Sequence, residues 1–326
     1  MAVIGETVAT LGDIGKRLDK DGKIDTIIEM LKRTNEILDD MMFQEGNLPT
    51  GHKTTIRTGL PSAAWRLLNY GVPQSKSRTQ QITDTCGMLE AYAEVDKSLA
   101  DLNGNTSAFR LSEDEAFLQA MNIEMAHSLF YGDTGKNPER FLGLAPRFST
   151  LDAKVATAEN VINAGGTGSN LTSIYLPCWG PSTVFGIYPK GSKAGFQHKD
   201  LGEQTLQDKD GGQYQGYRTH YKWDIGLVVR DWRYVVRIAN IDLATITDAD
   251  LIKFMIMASE RLPDLNMGRP VFYMRRDVRT RLRLARLDKE NVRLTFDNVE
   301  GKKVMAFDEI PVKRCDAISL TEKQVV

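Results

Sequence analysis

The sequence predicts a mixed α+β fold, and three observations support this class. Residues 112–131 carry apolar side chains on one face of a long helix. Residues 247–262 form a second helical segment, which begins at Thr247 and ends before Pro263. Residues 221–238 place apolar side chains at alternate positions, which indicates strands.

The composition is that of an ordinary globular protein. The chain has 326 residues, of which 41% are hydrophobic and 26% charged, and its net charge is -1. A protein whose main task is to bind duplex DNA usually has a basic excess, which is missing here. Three widely spaced cysteines, Cys86, Cys178 and Cys315, favour a reducing compartment over a disulfide framework. Without an evident signal peptide or apolar membrane span, we expect a soluble protein that is intracellular when made.

Residues 1–48 are predicted to form an arm. Apolar residues at helical spacing follow one stripe in its middle: Ile24, Ile27, Ile28 and Leu31. A second, shorter stripe covers 37–42. Helices this short are marginal alone in water and need a surface to lie on. That surface is either the chain's own domain, in a helical hairpin, or a neighbouring subunit.

Residues 49–86 are rich in Thr, Ser, Gly and Pro and are predicted to form a projecting two-stranded loop. The flanks KTTIRTG and SRTQQIT have the β-branched content of strands, whereas the stretch between them has no pattern suited to a core. Basic residues recur through the segment: His52, Lys53, Arg57, Arg66, Lys76 and Arg78.

The helix at 112–131 is predicted to begin with a capping box formed by Ser112 and Glu115 and to end at Gly132. Twenty residues make a rod of about 30 Å. Further along, the glycine-rich segment 163–170 lacks the Lys-Ser/Thr of a phosphate loop and is predicted to be a flexible linker and candidate hinge.

The second half alternates strands and helices. Two strands are predicted between 221 and 238, separated by a turn or bulge at Arg230-Asp231 where the apolar alternation changes phase. The helix at 247–262 is apolar nearly all round and is expected to be buried. Further strands are predicted at 173–176, 184–188, 270–274, 292–296, 303–306 and 311–318.

Motifs of catalysis are missing from the sequence. The four histidines are scattered, and neither H-E-x-x-H, C-x-x-C nor G-x-S-x-G occurs. The acidic pair Asp39-Asp40 is predicted to lie on a solvated helix face. We therefore expect no enzyme activity, metal or cofactor.

Residues 275–286 carry six arginines in twelve positions on a predicted helix. Three interpretations remain open: a solvated helix face, pairing with carboxylates of another subunit, or contact with DNA. Arginine makes planar, bidentate contacts to carboxylates, and the chain as a whole is neutral. Intersubunit pairing is therefore slightly favoured.

Several segments, taken in order, resemble the major capsid proteins of short-tailed phages. They include PTGHKTTIRTGLPSAAWRLLNYGVPQSKS, TDTCGMLEAYAEVDKSLADLNGN, RLSEDEAFLQAMNIEMAHSLFYGDTGKNPERFLGLAPRF and YKWDIGLVVRDWRYVVRIANID. FYMRRDVRTRLRL and AFDEIPVKRCDAI are similar to the same family. The resemblance covers most of the chain and implies the Hong Kong 97 capsid fold. In this fold the expected parts are an N-terminal arm (1–48), an extended loop (49–86), a peripheral domain with a long spine helix (87–160, helix 112–131), an axial domain (161–245) and remaining peripheral elements (246–326).

The same resemblance implies a shell protein that assembles into hexamers and pentamers of an icosahedral head around double-stranded DNA. Expected partners are further copies of the chain, scaffold and portal proteins, a decoration protein as a further candidate, and DNA through weak non-specific contact. The expected location is the virion, with assembly in the host cytoplasm. A tail or head-completion protein and a soluble enzyme are the alternatives. Autocatalytic crosslinking is not expected, because the loop lysines lie in no matching motif.

The candidate intersubunit contacts lie in the arm, the loop and the arginine-rich helix. They are Ile24, Ile27, Ile28, Leu31, Lys53, Arg57, Arg66, Lys76, Arg78, Arg275, Arg276 and Arg279. Deletion of residues 1–45 is expected to leave a soluble, folded core that forms no closed shells. Charge reversal at Arg57 or Arg276 is expected to harm assembly more than folding.

Overall fold

The computed structural model describes residues 36–102, 106–285, 294–299 and 302–326, and it confirms the α+β class. The helices are α1 (Ile37–Asp40), α2 (Lys97–Ala100), α3 (Thr106–Tyr131), α4 (Leu144–Arg147), α5 (Asp248–Glu260) and α6 (Arg276–Ala285). The strands are β1 (Phe43–Glu45), β2 (Gly51–Gly59), β3 (Arg78–Asp96), β4 (Val161–Asn163), β5 (Thr172–Trp179), β6 (Val184–Tyr188), β7 (Gln197–Gln207), β8 (Gln213–Val229), β9 (Val235–Ile241), β10 (Arg269–Pro270), β11 (Phe272–Met274), β12 (Leu294–Val299), β13 (Lys302–Phe307) and β14 (Ile310–Arg314). Short 3-10 turns occur at Ala156–Asn160, Trp232–Tyr234 and Leu265–Met267.

The chain packs into two compact units. The described residues of the first unit come from Met88–Ala126 and Gly195–Asp224. The second unit comprises Asn35–Gly87, His127–Ala194 and Ile225–Val326. The elements α3, β3 and β8 each contribute residues to both units. None of the helices in the described part of the chain is long and apolar enough to cross a membrane.

The first unit contains a helix packed on antiparallel strands. Met121 of α3 packs with Ala93 of β3 and Tyr221 of β8 in one apolar cluster. β7 pairs with β8 along its whole length, from Gln197↔Lys222 to Gln207↔Gln213. Because side chains alternate between the faces of a strand, one face of β8 supplies this core and the other carries polar residues.

Helix α3 begins at Thr106, six positions before the predicted start. Ser112 lies inside the helix, so the predicted capping box is wrong. Phe109 is almost fully buried in a cluster with Val95, and this packing extends the helix upstream. The predicted end is confirmed, because Gly132 follows the last helical residue.

The second unit is organised around β5, whose eight residues are all buried. β5 pairs antiparallel with β9 and β11, and β11 runs parallel to β14, which continues through β13 to β12. On the other side, β6 pairs parallel with β5 and β1 and antiparallel with the end of β8. Helices α5 and α6 join the same apolar core through Leu251, Met255, Val278 and Leu282.

Helix α5 confirms the predicted N-cap and corrects the predicted burial. The Oγ1 of Thr247 accepts a hydrogen bond from the Asp250 backbone N–H at 3.1 Å. Leu251 and Met255 are fully buried, whereas Met257 is 38% exposed. The helix is therefore buried along one face and not all round.

The strands at 221–238 correspond to β8 and β9, and the 3-10 turn Trp232–Tyr234 separates them where the alternation changes phase. They are not the half-buried pair that the alternation predicts. Residues 225–229 and 235–241 are buried throughout. The two strands bond to different neighbours, β8 to β6 and β9 to β4 and β5.

The glycine-rich segment 163–170 lies within the second unit, so the linker prediction is wrong. The Gly166 N–H donates to the Asn240 carbonyl at 2.9 Å, and the Gly165 N–H donates to the Asn163 side chain at 2.9 Å. Gly165 has a φ of +83°, which glycine adopts without strain. The glycines therefore shape a loop that is hydrogen-bonded to its own unit.

Candidate intersubunit surfaces

The predicted two-stranded loop is an antiparallel hairpin. β2 pairs with β3 from Gly51↔Thr85 to Gly59↔Arg78, with an irregularity next to Arg57. Threonine and isoleucine suit such a ladder because branched side chains pack well on a pleated strand. Residues 60–77 connect the strands and form the loop tip.

The loop tip contains a defined turn. The Tyr70 N–H donates to the Leu67 carbonyl at 3.2 Å, which closes a β-turn. The Ser75 hydroxyl donates to the Ser62 carbonyl at 2.8 Å and ties the two sides of the tip together. The tip therefore has local order of its own.

Large apolar side chains cover this tip and are exposed. The exposed fraction ranges from 54% at Val72 to 103% at Trp65. An exposed apolar group of this size on a single chain marks an interaction surface. Its members are Leu60, Trp65, Leu67, Leu68, Tyr70 and Val72. We call this set the apolar tip.

The basic candidates of the loop all lie on the same hairpin and are exposed. Residues 49–78 contain no Asp or Glu, so the hairpin carries uncompensated positive charge. The basic residues are Lys53, Arg57, Arg66, Lys76 and Arg78. These basic residues are evident from the sequence, whereas the apolar tip is not. The available signal was six large apolar residues without helical or strand periodicity in a stretch that has no core to join.

The base of the hairpin is fixed to the second unit. The Arg147 guanidinium donates to the Asp84 carboxylate at 2.6 Å and to the Leu227 carbonyl at 3.1 Å. Both charged side chains are largely buried, so removing either partner would leave the other charge uncompensated. Next to this pair, burial lowers the pKa of His52, reinforced by Arg230 and opposed by Asp84. The hairpin is thus anchored at its base and exposed at its tip.

An acidic stripe lies on α3 within the first unit. Leu111, Glu115 and Leu118 follow helical spacing and are all exposed. Residues 111–124 include four carboxylates and no Lys or Arg, and of these carboxylates Glu115 lies exposed on the same face as Leu111 and Leu118. This outward face of α3, which we call the acidic stripe, combines apolar and negative side chains.

The predicted arm divides into two parts. Ile24, Ile27, Ile28 and Leu31 lie outside the described residues. Residues 36–45 belong to the second unit, where Ile37 is fully buried and β1 pairs with β6 from Phe43↔Gly186 onward. We call residues 36–45 the arm root.

The carboxylate of Asp40 is central to the arm root. It accepts hydrogen bonds from the Tyr273 hydroxyl at 2.6 Å and from the Lys313 ammonium at 2.5 Å. Tyr273 in turn accepts a hydrogen bond from the Trp179 indole at 2.9 Å. The prediction that Asp39-Asp40 lies on a solvated face is therefore wrong for Asp40, which is mostly buried and paired.

Two of the three candidate arginines at the start of α6 have carboxylate partners in their own chain. Arg275 pairs with Asp277 at 2.8 Å, Arg276 pairs with Asp316 at 2.5 Å, and Arg279 is partly buried. Burial alone would raise the pKa of Asp316, but hydrogen bonds from Arg276 and Arg314 lower it to about 2. An interface role for these arginines stays a prediction, and charge reversal at Arg276 is expected to disturb folding as well.

The second unit also has a cavity of about 750 Å³ beside the hairpin base. Its walls include apolar side chains such as Ile56, Phe148 and Trp232. The carboxylate in its lining, Asp231, is bound by Arg233 at 2.7 Å. No group of His, Cys, Asp and Glu side chains in the described part of the chain could hold a metal ion. The surfaces described above suit association with another protein better than catalysis.

Comparison with known proteins agrees with this conclusion. The sequence profile described as major capsid protein GP7 matches residues 19–326. A chain in the near-atomic cryo-EM structure of bacteriophage Epsilon15 is 40% identical, with a TM-score of 0.76, and the match covers 100% of this chain and 99% of that one. A chain of the bacteriophage JBD30 capsid is 9% identical with a TM-score of 0.50 over 88% and 91% of the two chains, a likeness of fold alone. No curated protein matches this sequence.

The fold and the exposed surfaces thus define a shell-forming protein with the Hong Kong 97 capsid fold. The chain belongs to the family of major capsid proteins GP7 of tailed bacteriophages. It is a structural component of the virion shell, and the proteins of this family are structural proteins and not enzymes.

Proposed function

We propose that copies of this chain form the hexamers and pentamers of an icosahedral head that encloses double-stranded DNA, and that the apolar tip is a principal contact between copies. The observation that supports this proposal is the full exposure of Trp65 in a hairpin whose base is fixed by the Arg147–Asp84 pair. A surface of this kind gains stability only when another molecule covers it.

Energetics favour such a contact. Burying one large apolar side chain stabilises an interface by about 1.5–3 kcal/mol, and the apolar tip offers six of them. Part of that gain offsets the entropy of association and of ordering the loop. Because each copy also receives a neighbour, several moderate contacts per subunit add up to a durable shell.

The acidic stripe on α3 of a neighbouring copy is the receiving surface that best complements the tip. The tip is basic and apolar, and the stripe carries the exposed carboxylate of Glu115 between the exposed side chains of Leu111 and Leu118. Complementary charge steers the encounter and fixes its register, while the apolar side chains supply most of the affinity. A contact between two different surfaces of the same chain is heterologous, and repetition around an axis closes it into a ring.

Scaffold and portal proteins are proposed as further partners, with a decoration protein as an additional candidate. DNA contact is proposed to be weak and non-specific. The net charge of -1 supports this, because tight binding to duplex requires many neutralised phosphates. A shell that holds its genome loosely also leaves the DNA free to enter and leave.

The double variant Trp65→Ser, Leu68→Ser tests the contact. Both side chains are exposed, so the unassembled protein should fold normally, and circular dichroism with thermal unfolding checks this. We expect the variant to remain as small species in sizing chromatography and electron microscopy under conditions where the parent chain forms capsomers or shells. Leu265→Ser removes another exposed apolar side chain, in the turn Leu265–Met267, and should assemble normally. Normal shells from the double variant would refute the proposal, and rings or tubes from the parent chain would favour a tail or head-completion protein.

A further inference from the structure

The turn at the centre of the apolar tip depends on an unusual backbone conformation. Asn69 has a φ of +67°, in the left-handed region, and the turn closes through the 3.2 Å hydrogen bond from Tyr70 to Leu67. Non-glycine residues rarely adopt this region because Cβ approaches the following carbonyl. Asparagine tolerates it better than most side chains, and a β-branched residue tolerates it poorly.

Within the described part of the chain, the side chain of Asn69 makes no contact that would explain why asparagine occupies this position. It is exposed, and its amide has no hydrogen-bond partner among the described residues. The residues on either side of it are large, apolar and exposed, namely Leu67, Leu68 and Tyr70. The conformation of position 69 therefore decides the direction in which these three side chains leave the backbone.

We propose that Asn69 is a positioning residue for assembly: its left-handed backbone presets the loop tip so that Leu67, Leu68 and Tyr70 form one apolar projection before a second copy of the chain is met. This inference rests on the proposed function. A loop that becomes ordered only when it docks pays a cost in conformational entropy, and this cost weakens binding. A loop that already has its bound conformation avoids this cost. The hydrogen bond from the Ser75 hydroxyl to the Ser62 carbonyl also fixes the conformation of the tip, because it holds the two sides of the loop together.

Substitution at position 69 separates backbone conformation from side-chain chemistry. Asn69→Gly keeps access to positive φ, whereas Asn69→Ala and Asn69→Val penalise it increasingly. We expect the protein concentration needed for assembly, followed by light scattering, to rise only slightly for Asn69→Gly. For Asn69→Ala a penalty of about 1 kcal/mol raises it about fivefold, and Asn69→Val should raise it further. The thermal unfolding of the unassembled protein should not change for any of them, because the tip is exposed.

Two results would overturn the inference. One is normal assembly of Asn69→Val. The other is an equal loss in Asn69→Gly and Asn69→Val, which would mean that the amide itself makes the contact. Trp65→Ser, Leu68→Ser, measured in parallel, separates this inference from the proposed function. If that variant fails to assemble while Asn69→Val assembles normally, only the role of Asn69 is wrong. If both assemble normally, the docking of the apolar tip is wrong and the inference falls with it.

Discussion

Deleting residues 1–45 should destabilise the second unit far more than deleting residues 1–35. The longer deletion removes the arm root, including Ile37 and Met41, which are 0% and 4% exposed. It also removes the whole of β1 and its pairing with β6. The shorter deletion leaves all of these contacts in place. This revises the expectation from sequence that a chain without residues 1–45 keeps a folded core.

The magnitude follows from the contacts. Loss of a buried isoleucine or methionine side chain costs about 2–5 kcal/mol each. Removing Asp40 leaves the buried Tyr273 hydroxyl without its acceptor, which costs a further 1–3 kcal/mol, roughly. Lys313 is partly exposed and regains water, so its loss counts for little. The total, on the order of 5–13 kcal/mol, is comparable to the whole stability of a typical domain.

Urea unfolding of the two truncated chains, followed by circular dichroism at a concentration below assembly, measures the difference. We expect chain 36–326 to unfold cooperatively and chain 46–326 to be largely unfolded without urea. Asp40→Asn in the full chain is the matched point variant and should lower the midpoint by a smaller amount. Equal midpoints for the two truncations would contradict this prediction, because the arm root would then contribute nothing to the fold.

Two further predictions concern charges. The pKa of Asp316 is about 2 in the folded chain against an ordinary value of 3.8, so its contribution to stability is complete above about pH 4 and is lost as the pH falls towards 2. Asp316→Asn should lower the melting temperature at pH 7 and weaken the fall of the melting temperature as the pH drops from about 4 to 2. A variant whose melting temperature falls as steeply in acid as that of the parent chain would contradict this role of Asp316. Reversing charge at either Arg66 or Glu115 should raise the assembly concentration severalfold at low salt, and the double variant Arg66→Glu, Glu115→Lys should recover part of the loss. Strictly additive losses in the double variant would count against pairing of the tip with the acidic stripe.

The parts of the fold that the sequence predicts well have local causes. The start of α5 depends on one side chain, Thr247, which binds the backbone three residues ahead. The hairpin follows from β-branched strands on both sides of a stretch that has no core pattern. The start of α3 does not follow from the local sequence, because Phe109 extends the helix by packing on Val95 and no local pattern reveals that contact.

The intersubunit surfaces are predicted only in part, for physical reasons. Basic residues in a polar loop are conspicuous because they have no nearby carboxylate, so the charged half of the hairpin was found. The sequence does not predict the exposure of Trp65 and its apolar neighbours, because large apolar residues are ordinarily buried and their exposure depends on the fold. The arm root was missed because Tyr273 and Lys313, the partners of Asp40, lie more than 200 residues away in sequence.

Cryo-electron microscopy of the protein expressed in bacteria, alone and with its phage's scaffold, shows whether the chain forms a shell and whether the apolar tip docks on a neighbouring copy. We expect closed icosahedral shells or capsomer rings in which density for residues 60–77 of each copy lies on α3 of the next copy. A small, defined oligomer under both conditions, or shells in which the apolar tip stays exposed to solvent, would contradict it.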